Sequence, residues 1–253
     1  MAQNPVSIRV NRLHLAFVRR IDDTYIFSEQ AIPLLNKARD ELETSEYRQY
    51  GFYWVPDVKY RNSKFAKFAN RTDTELKEIY DRFLSQEFYE ILLVASVSKF
   101  ESYLLEVLRI IISAYPQKIT LNVKGVEVSR DVPLNLLLNA NDLTDVLSQV
   151  IEGRLIEISY AAPKDYLEYL QKISGVDTSD SVFLDYLEIK ASRDLIVHNT
   201  GVINQTYISK AGVKKRGEIG ERLNIDIEYF GNSMATLKRM SGIIQRDVTK
   251  TFG

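Results

Sequence analysis

The chain has 253 residues, which suffices for one large domain or for a domain with an appended subdomain. Its 45% hydrophobic residues are typical of an ordinary globular protein, and 33 Lys and Arg against 34 Asp and Glu exclude a global basic field for nucleic acid. The absence of cysteine excludes disulfides, thiol nucleophiles and cysteine-based zinc sites, and it fits the reducing cytoplasm in which we expect the protein.

Two stretches bear on export and on membranes. Residues 1–20 lack a charged segment followed by an apolar one, so we expect no signal peptide. The most apolar stretch, residues 91–112, is interrupted by four charged residues: Lys99, Glu101, Glu106 and Arg109. A membrane span of about 20 residues would not tolerate these charges without a special reason, so we predict a buried helix and no membrane partner.

Helical periodicity predicts a mainly all-α protein, an antiparallel helical bundle with extra N-terminal helices. Residues 23–42 form the first predicted helix, with a break or a new start at Pro33. Residues 43–56 are aromatic and irregular, and Asp73 or Thr74 can cap the next helix. A long helix is predicted over 87–114, and apolar residues on nearly all of its sides favour a central position in the bundle.

The second half of the chain continues this pattern. Residues 119–128 alternate apolar and polar side chains around Lys124-Gly125, which predicts a small β-hairpin. A further helix begins at Ser179 or Asp180 and ends before Gly201. The remaining predicted helices cover 132–138, 142–158, 163–175 and 227–248. We divide the chain into an N-terminal extension, residues 1–72, and a helical bundle, residues 73–253.

The most informative stretch runs from Arg193 to Asn199, near the end of the predicted helix that begins at residue 179 or 180. It contains His198, one of only two histidines in the chain. Histidine moves protons near neutral pH, and arginine offers a donor fork for phosphate. The pair therefore indicates phosphodiester cleavage.

His198 has two interpretations. It can end an apolar stripe that it shares with Leu184, Leu187, Ala191 and Leu195, and bond a carbonyl. It can instead act on a substrate, because Asp194 lies four residues earlier and could orient the imidazole, and because Gly201 places His198 in a helix-terminal turn.

Helix geometry constrains how Arg193 and His198 could cooperate. The two residues are about 140° apart around an ideal helix with ~100° per residue, so they would not converge on one phosphate. Either the helix unwinds before His198, or the site combines residues from two chains. A two-fold dimer with packed motif helices would bring two copies of each residue into one cleft.

The string Arg-Asp, three apolar residues, His-Asn resembles the Arg-x4-6-His signature of HEPN domains, the higher-eukaryote and prokaryote nucleotide-binding domains. Residues 191–207 (ASRDLIVHNTGVINQTY) resemble especially the HEPN groups of prokaryotic defence and toxin systems, near the RiboL-PSP type. The resemblance extends from about Phe83 to the C-terminus and is strongest over residues 190–207.

The resemblance implies a metal-independent endoribonuclease that acts on RNA as a homodimer. It implies that Arg193 polarises the scissile phosphate and that His198 serves as general base or acid. Asp194 would then orient His198, Asn199 is a secondary candidate, and Glu101 matches an acidic residue that faces the motif in family members. Glu101 could equally be a structural partner of Arg193.

The chemistry needs no metal and no other cofactor. An unperturbed histidine has a pKa of about 6.5, so both protonation forms are populated near pH 7. General acid–base catalysis contributes about 10²–10⁴-fold, and arginine stabilises the added phosphate charge. Since the 2′-hydroxyl of RNA is the nucleophile, we expect neither a metal nor a protein nucleophile.

Two local clusters could bind the RNA backbone. The first interleaves basic and aromatic residues, including Lys59, Arg61, Lys64 and Lys67, as suits single strands; the alternative is a helix with Phe65 and Phe68 facing the core. The second follows the motif and comprises Lys210, Lys214, Lys215 and Arg216. It could instead be a solvated loop.

Two other functions compete with the ribonuclease. One is a non-catalytic HEPN-type module that binds nucleotide or RNA, or scaffolds a complex. The other is a helical interaction protein whose motif is structural. A toxin or anti-phage defence effector with a regulatory or antitoxin partner is the biological role that the resemblance implies.

Overall fold

The computed structural model describes residues 5–43, 50–56, 66–122 and 131–253. These residues form a mainly α-helical fold with one two-stranded sheet, which confirms the predicted fold class. In chain order the elements are α1 (Pro5–Glu43), β1 (Tyr50–Pro56), β2 (Ala66–Thr72), α2 (Asp73–Arg82), α3 (Phe88–Ala114), α4 (Leu134–Asn139), α5 (Leu143–Ser159), α6 (Pro163–Ser174), α7 (Val182–Asn199), α8 (Gln205–Ala211) and α9 (Ile227–Phe252).

Helix α3 lies at the centre of the bundle, as its sequence predicts. Buried side chains point from it in several directions, from Leu93 and Phe100 to Leu108 and Ile112. It contacts α1, α5, α6, α7 and α9. A helix that is apolar on most sides can bury this surface only when other helices surround it.

Helix α1 is continuous, so the predicted break or new start at Pro33 is wrong. Pro33 is exposed, and the carbonyl that loses its hydrogen bond there can be hydrated. The first half of α1 belongs to the same core as α3 and α9, through Val6, Val10, Phe17 and Ile21. The division of the chain at residue 72 stays a prediction.

The β-hairpin lies earlier than the sequence predicts. Strands β1 and β2 pair antiparallel, with Tyr50 opposite Thr72. Thr72 then caps α2 instead of Asp73 or Thr74, in a capping box with Glu75. The hairpin predicted over 119–128 is wrong at Ile119 and Thr120, which lie in a 3-10 turn that Pro116 opens; residues 123–128 lie outside the described chain.

Two contacts with α3 place α7 within the bundle. Glu101 of α3 pairs with Lys190 of α7, whereas Glu90, eleven residues earlier, lies beside Gly201 after α7, so the two helices run antiparallel.

A π-helical turn, Phe83–Glu87, joins α2 to α3. Of the helices in the described ranges, none has the length and apolar character needed to cross a bilayer.

Candidate active site

Helix α7 carries the motif and remains helical through His198. It ends at Asn199, and Thr200 and Gly201 then adopt the left-handed conformation with φ of 51° and 77°. The Gly201 amide donates to the Leu195 carbonyl at 3.2 Å, which closes the helix end. Gly201 therefore ends the helix as the sequence predicts, and the helix does not unwind before His198.

A clasp of polar contacts fixes the turn after His198. Arg222 donates to the Thr200 carbonyl at 2.8 Å and to the buried Glu90 carboxylate at 3.0 Å. Gln86, in the π-helical turn, donates to Glu90 at 2.7 Å and to the Leu223 carbonyl at 2.8 Å. The start of α3 thus holds the end of the motif helix.

Arg193 lies in a chain of alternating charges. It forms ion pairs with Glu101 and, at 3.1 Å, with Asp194. Glu101 also pairs with Lys190, and Asp194 with Lys210 at 3.0 Å. Three cations thus face two carboxylates, a net charge of +1 (3 − 2), and we call these five residues the charge cluster.

His198 stands apart from these ion pairs. Its side chain is exposed, and within the described chain it makes no hydrogen bond. Both carboxylate oxygens of Asp194 face cations, so the expected Asp194–His198 contact is not formed. The role of Asp194 in orienting the imidazole stays a prediction that this conformation does not support.

The Asn199 side chain makes a local contact and, in the described chain, no hydrogen bond to the side chains of Arg193 or His198. Its side-chain amide donates to the Val202 carbonyl and so bridges the turn after α7. The apolar stripe predicted with His198 is only partly buried: Ala191 and Leu195 are buried, whereas Leu184 is exposed. His198 therefore does not end a core stripe, and its exposure leaves the imidazole accessible.

Arg193 and His198 nevertheless line one cavity of about 480 Å³. Its walls come from α3, α6 and α7, and from the turn between α5 and α6. His198 also borders a smaller cavity of about 220 Å³ with Asp194, Asn199 and Lys210. Separation around the helix thus does not prevent the two side chains from facing the same space, because the cavity extends across the helix surface.

Two tyrosines, the buried Tyr186 and the half-buried Tyr166, form part of the cavity wall. Burial raises the pKa of Tyr186 far above the ordinary value, and the Glu101 carboxylate adds to that effect while Arg193 opposes it. Burial also raises the pKa of Tyr166, and its buried hydroxyl has no hydrogen-bond partner within the described residues. Both side chains are therefore neutral hydroxyls across the ordinary pH range.

The basic residues after the motif are spread over several contacts. Lys214 pairs with Asp185 at 2.6 Å and Lys215 with Glu218 at 2.7 Å. Arg216 stacks 3.5 Å from the Tyr229 ring centroid and donates to the Asn224 carbonyl. Only Lys210 joins the charge cluster, so the structure does not bring the predicted basic patch together at the motif.

The earlier basic cluster lies largely beyond the described chain. Lys59, Arg61 and Lys64 lie outside the described residues, and Lys67 lies in β2 with its side chain undescribed. The alternative helix is wrong from residue 66 onward, where the chain is a strand. The described ranges contain no group of three or more His, Asp and Glu side chains that could hold a metal ion.

The sequence interpretation missed Lys190 and the tyrosines of the cavity. Lys190 lies three residues before Arg193, so one helical turn of spacing would have placed it beside the motif. Tyr160, Tyr166 and Tyr186 come from three separate elements, and only tertiary packing brings them to the cavity.

Comparisons with family models, curated proteins and solved structures give no match to this chain.

Proposed function

We propose that the protein is a metal-independent endoribonuclease that acts on RNA as a homodimer with a composite active site. The observation that carries the proposal is that Arg193 and His198 line one cavity of about 480 Å³. An arginine can stabilise the phosphate charge and an accessible histidine can carry one of the two proton transfers that RNA cleavage by its own 2′-hydroxyl requires.

The reaction assigns a role to each group. The 2′-hydroxyl oxygen attacks the adjacent phosphorus, a base removes the hydroxyl proton, and the bond from phosphorus to the 5′-oxygen breaks. An acid protonates the departing 5′-oxygen, which leaves a 2′,3′-cyclic phosphate and a 5′-hydroxyl. Arg193 stabilises the charge on the phosphate, and His198 supplies one of the two proton transfers.

The charge cluster is suited to exchange a carboxylate for a phosphate. Arg193 and Glu101 are partly exposed, so water and substrate can reach their contacts. A phosphate that displaces Glu101 from Arg193 keeps a charged acceptor on the guanidinium, and Lys190 stays paired with Glu101. Binding therefore needs no unpaired charge in the interior.

A second copy of the chain would supply the other proton transfer. The motif helix exposes Val197, next to His198 in sequence, to 51%, and α3 exposes Ile91 to 56%; a two-fold partner could cover such apolar side chains. The partner's histidine would then provide the acid where the first provides the base. The single chain leaves His198 without an orienting contact among the described residues, which fits a site completed by dimerisation.

The competing proposal is a non-catalytic module that binds nucleotide or RNA. The observation that favours it is that Glu101 and Asp194 both form ion pairs with Arg193, while no side chain in the described ranges forms a hydrogen bond with the His198 imidazole. Such a protein would bind RNA through the charge cluster without cleaving it. The two proposals differ in whether His198 matters for turnover or only for affinity.

Wild-type protein and His198→Ala, incubated with mixed RNA in EDTA, separate the two. We expect cleavage by the wild type with 2′,3′-cyclic phosphate ends, and a loss of about 10²–10⁴-fold in the variant. Light scattering of the same samples should show a dimer. Equal cleavage by both proteins, or full activity of a monomer, contradicts the proposal; RNA binding without cleavage by either favours the module.

A toxin or anti-phage effector is the biological form of this proposal, with a regulatory or antitoxin partner restraining it. Expression of the wild-type chain should then slow growth, and Arg193→Ala should relieve the effect. Matched protein levels measured by blotting serve as the control. Equal inhibition by both proteins would contradict a role of Arg193 in cellular RNA cleavage.

A further inference from the structure

The cavity beside Arg193 has a second wall that phosphate chemistry does not use. Tyr160, in the turn between α5 and α6, lines the cavity and is 86% exposed, the highest value for an aromatic side chain in the described ranges. Leu104, Leu105 and Ala161 supply apolar surface, and Ser98 and Ser102 supply hydroxyls. One cavity therefore joins a cationic wall to an aromatic and apolar one.

The backbone that presents Tyr160 is held in place. The Tyr160 amide donates to the Glu157 carbonyl at 3.2 Å, and the Ala161 amide donates to the Ile158 carbonyl at 3.1 Å. Pro163 then opens α6. Two helices thus fix the backbone of Tyr160 at the edge of the cavity, and its exposed ring is accessible to a base.

We infer that this cavity is a nucleobase subsite, and that it restricts the enzyme to single-stranded RNA; the inference rests on the proposed ribonuclease function. An unpaired base next to the scissile phosphate stacks on Tyr160 while Arg193 holds the phosphate. A base inside a duplex is stacked on its neighbours and cannot enter without unpairing.

The size and the polar groups of the cavity agree with this occupant. Its volume of about 480 Å³ lies within the range of about 300–1,000 Å³ for small-molecule sites. The Ser98 and Ser102 hydroxyls donate to the Val94 and Ser98 carbonyls at 2.8 Å and 3.0 Å, so each can still accept a hydrogen bond from a base edge. The Tyr166 hydroxyl has no hydrogen bond in the described chain, so its proton is available. Stacking tolerates every base, so the hydroxyls would set any preference among bases.

The test measures binding of a short fluorescein-labelled RNA by anisotropy, with His198→Ala as the parent protein so that the RNA stays intact. We expect tighter binding of the single strand than of the same sequence in a duplex. Adding Tyr160→Ala should weaken single-strand binding by roughly 5-fold to 100-fold and leave duplex binding unchanged.

Two further variants control this result. Tyr160→Phe keeps the ring and should retain the single-strand affinity. Phe27→Ala removes another exposed aromatic side chain, on α1 and outside the cavity lining, and should also retain it. Unchanged affinity in Tyr160→Ala, equal affinity for both RNA forms, or no binding of RNA overturns the subsite.

The outcome is separable from that of the nuclease proposal. If wild-type protein fails to cleave but the Tyr160 dependence holds, the subsite stands and catalysis falls. If cleavage depends on His198 but Tyr160→Ala leaves both affinity and the positions of cleavage unchanged, the subsite falls alone.

Discussion

Glu188 lies on helix α7, and Glu101 contacts α7 from α3. The two carboxylates differ in burial and in the charge of their partners. Glu188, on α7 itself, is 4% exposed and accepts hydrogen bonds from Ser192 at 2.6 Å and from Tyr207 and Tyr229, each at 2.8 Å. Glu101, on α3, is partly exposed, faces Lys190 and Arg193, and lines the cavity.

The partners explain what each carboxylate can do. Three neutral hydroxyls from α7, α8 and α9 bind Glu188, so it ties three helices together. In the described ranges the partners of Glu101 are both cations beside an open space, and those partners can bind a phosphate instead. Burial with neutral donors makes a structural contact, whereas exposure with charged partners makes an exchangeable one.

The largest expected effect is on stability, from Glu188→Ala. The change leaves the buried hydroxyls of Ser192, Tyr207 and Tyr229 without their acceptor, and we expect a loss of about 3 kcal/mol or more in the free energy of unfolding. For a protein of this size that lowers Tm by roughly 6–12 °C, which calorimetry can measure. Glu188→Gln keeps one acceptor oxygen and should lose about half as much. A Tm equal to that of the wild type in Glu188→Ala would show that the hydroxyls find other partners.

Glu101→Gln should have a smaller effect on stability and a visible one on RNA binding. The ion pairs are partly exposed, so we expect a loss of about 1 kcal/mol in chemical denaturation. Arg193 loses a competing charge, so single-stranded RNA should bind more tightly to the His198→Ala protein that carries the change. Destabilisation as large as in Glu188→Ala would make Glu101 a structural residue. A loss of cleavage together with tighter binding would give Glu101 a part in the reaction.

The alkaline limit of stability should depend on the Glu188 contacts. Burial, with the Glu188 charge second, raises the pKa of Tyr207 to about 12, above the ordinary value of about 10. Above pH ~10 the unfolded chain releases this proton and the folded chain keeps it, so stability is full below pH ~10 and falls toward pH ~12. Urea unfolding across this range should show a shallower fall in Tyr207→Phe. An identical slope in both proteins would contradict the coupling.

Local signals predicted much of the fold. Pro163 and Gly175 bound α6, and Gly201 ends α7, because proline and glycine act on the backbone within a few residues. The central place of α3 followed from apolar residues on most of its sides. The hairpin was missed because its register depends on pairing between β1 and β2, for which neither strand carries a strong turn signal in the described residues.

In the candidate site, too, sequence spacing alone did not predict which contacts form between distant segments. The contact between Glu101 and Arg193 was among the expected alternatives, because the resemblance implies an acidic residue that faces the motif and Glu101 could equally be a structural partner of Arg193. The expected contact between Asp194 and His198 failed because Lys210, sixteen residues beyond Asp194, returns on α8 and takes the second carboxylate oxygen. Spacing along one helix identifies possible partners, but competition from other helices decides which contact forms.

The clasp at the end of α7 makes the site sensitive to chain length at a distant position. Gln86 reaches the Leu223 carbonyl, 137 residues away in sequence, from a π-helical turn that holds one residue more than an α-helical turn. Deleting one residue between Phe83 and Glu87 would convert the wide turn into an α-helical turn and remove the position from which Gln86 reaches Glu90 and the Leu223 carbonyl. Natural variation should therefore tolerate substitutions in this turn more readily than a change in its number of residues.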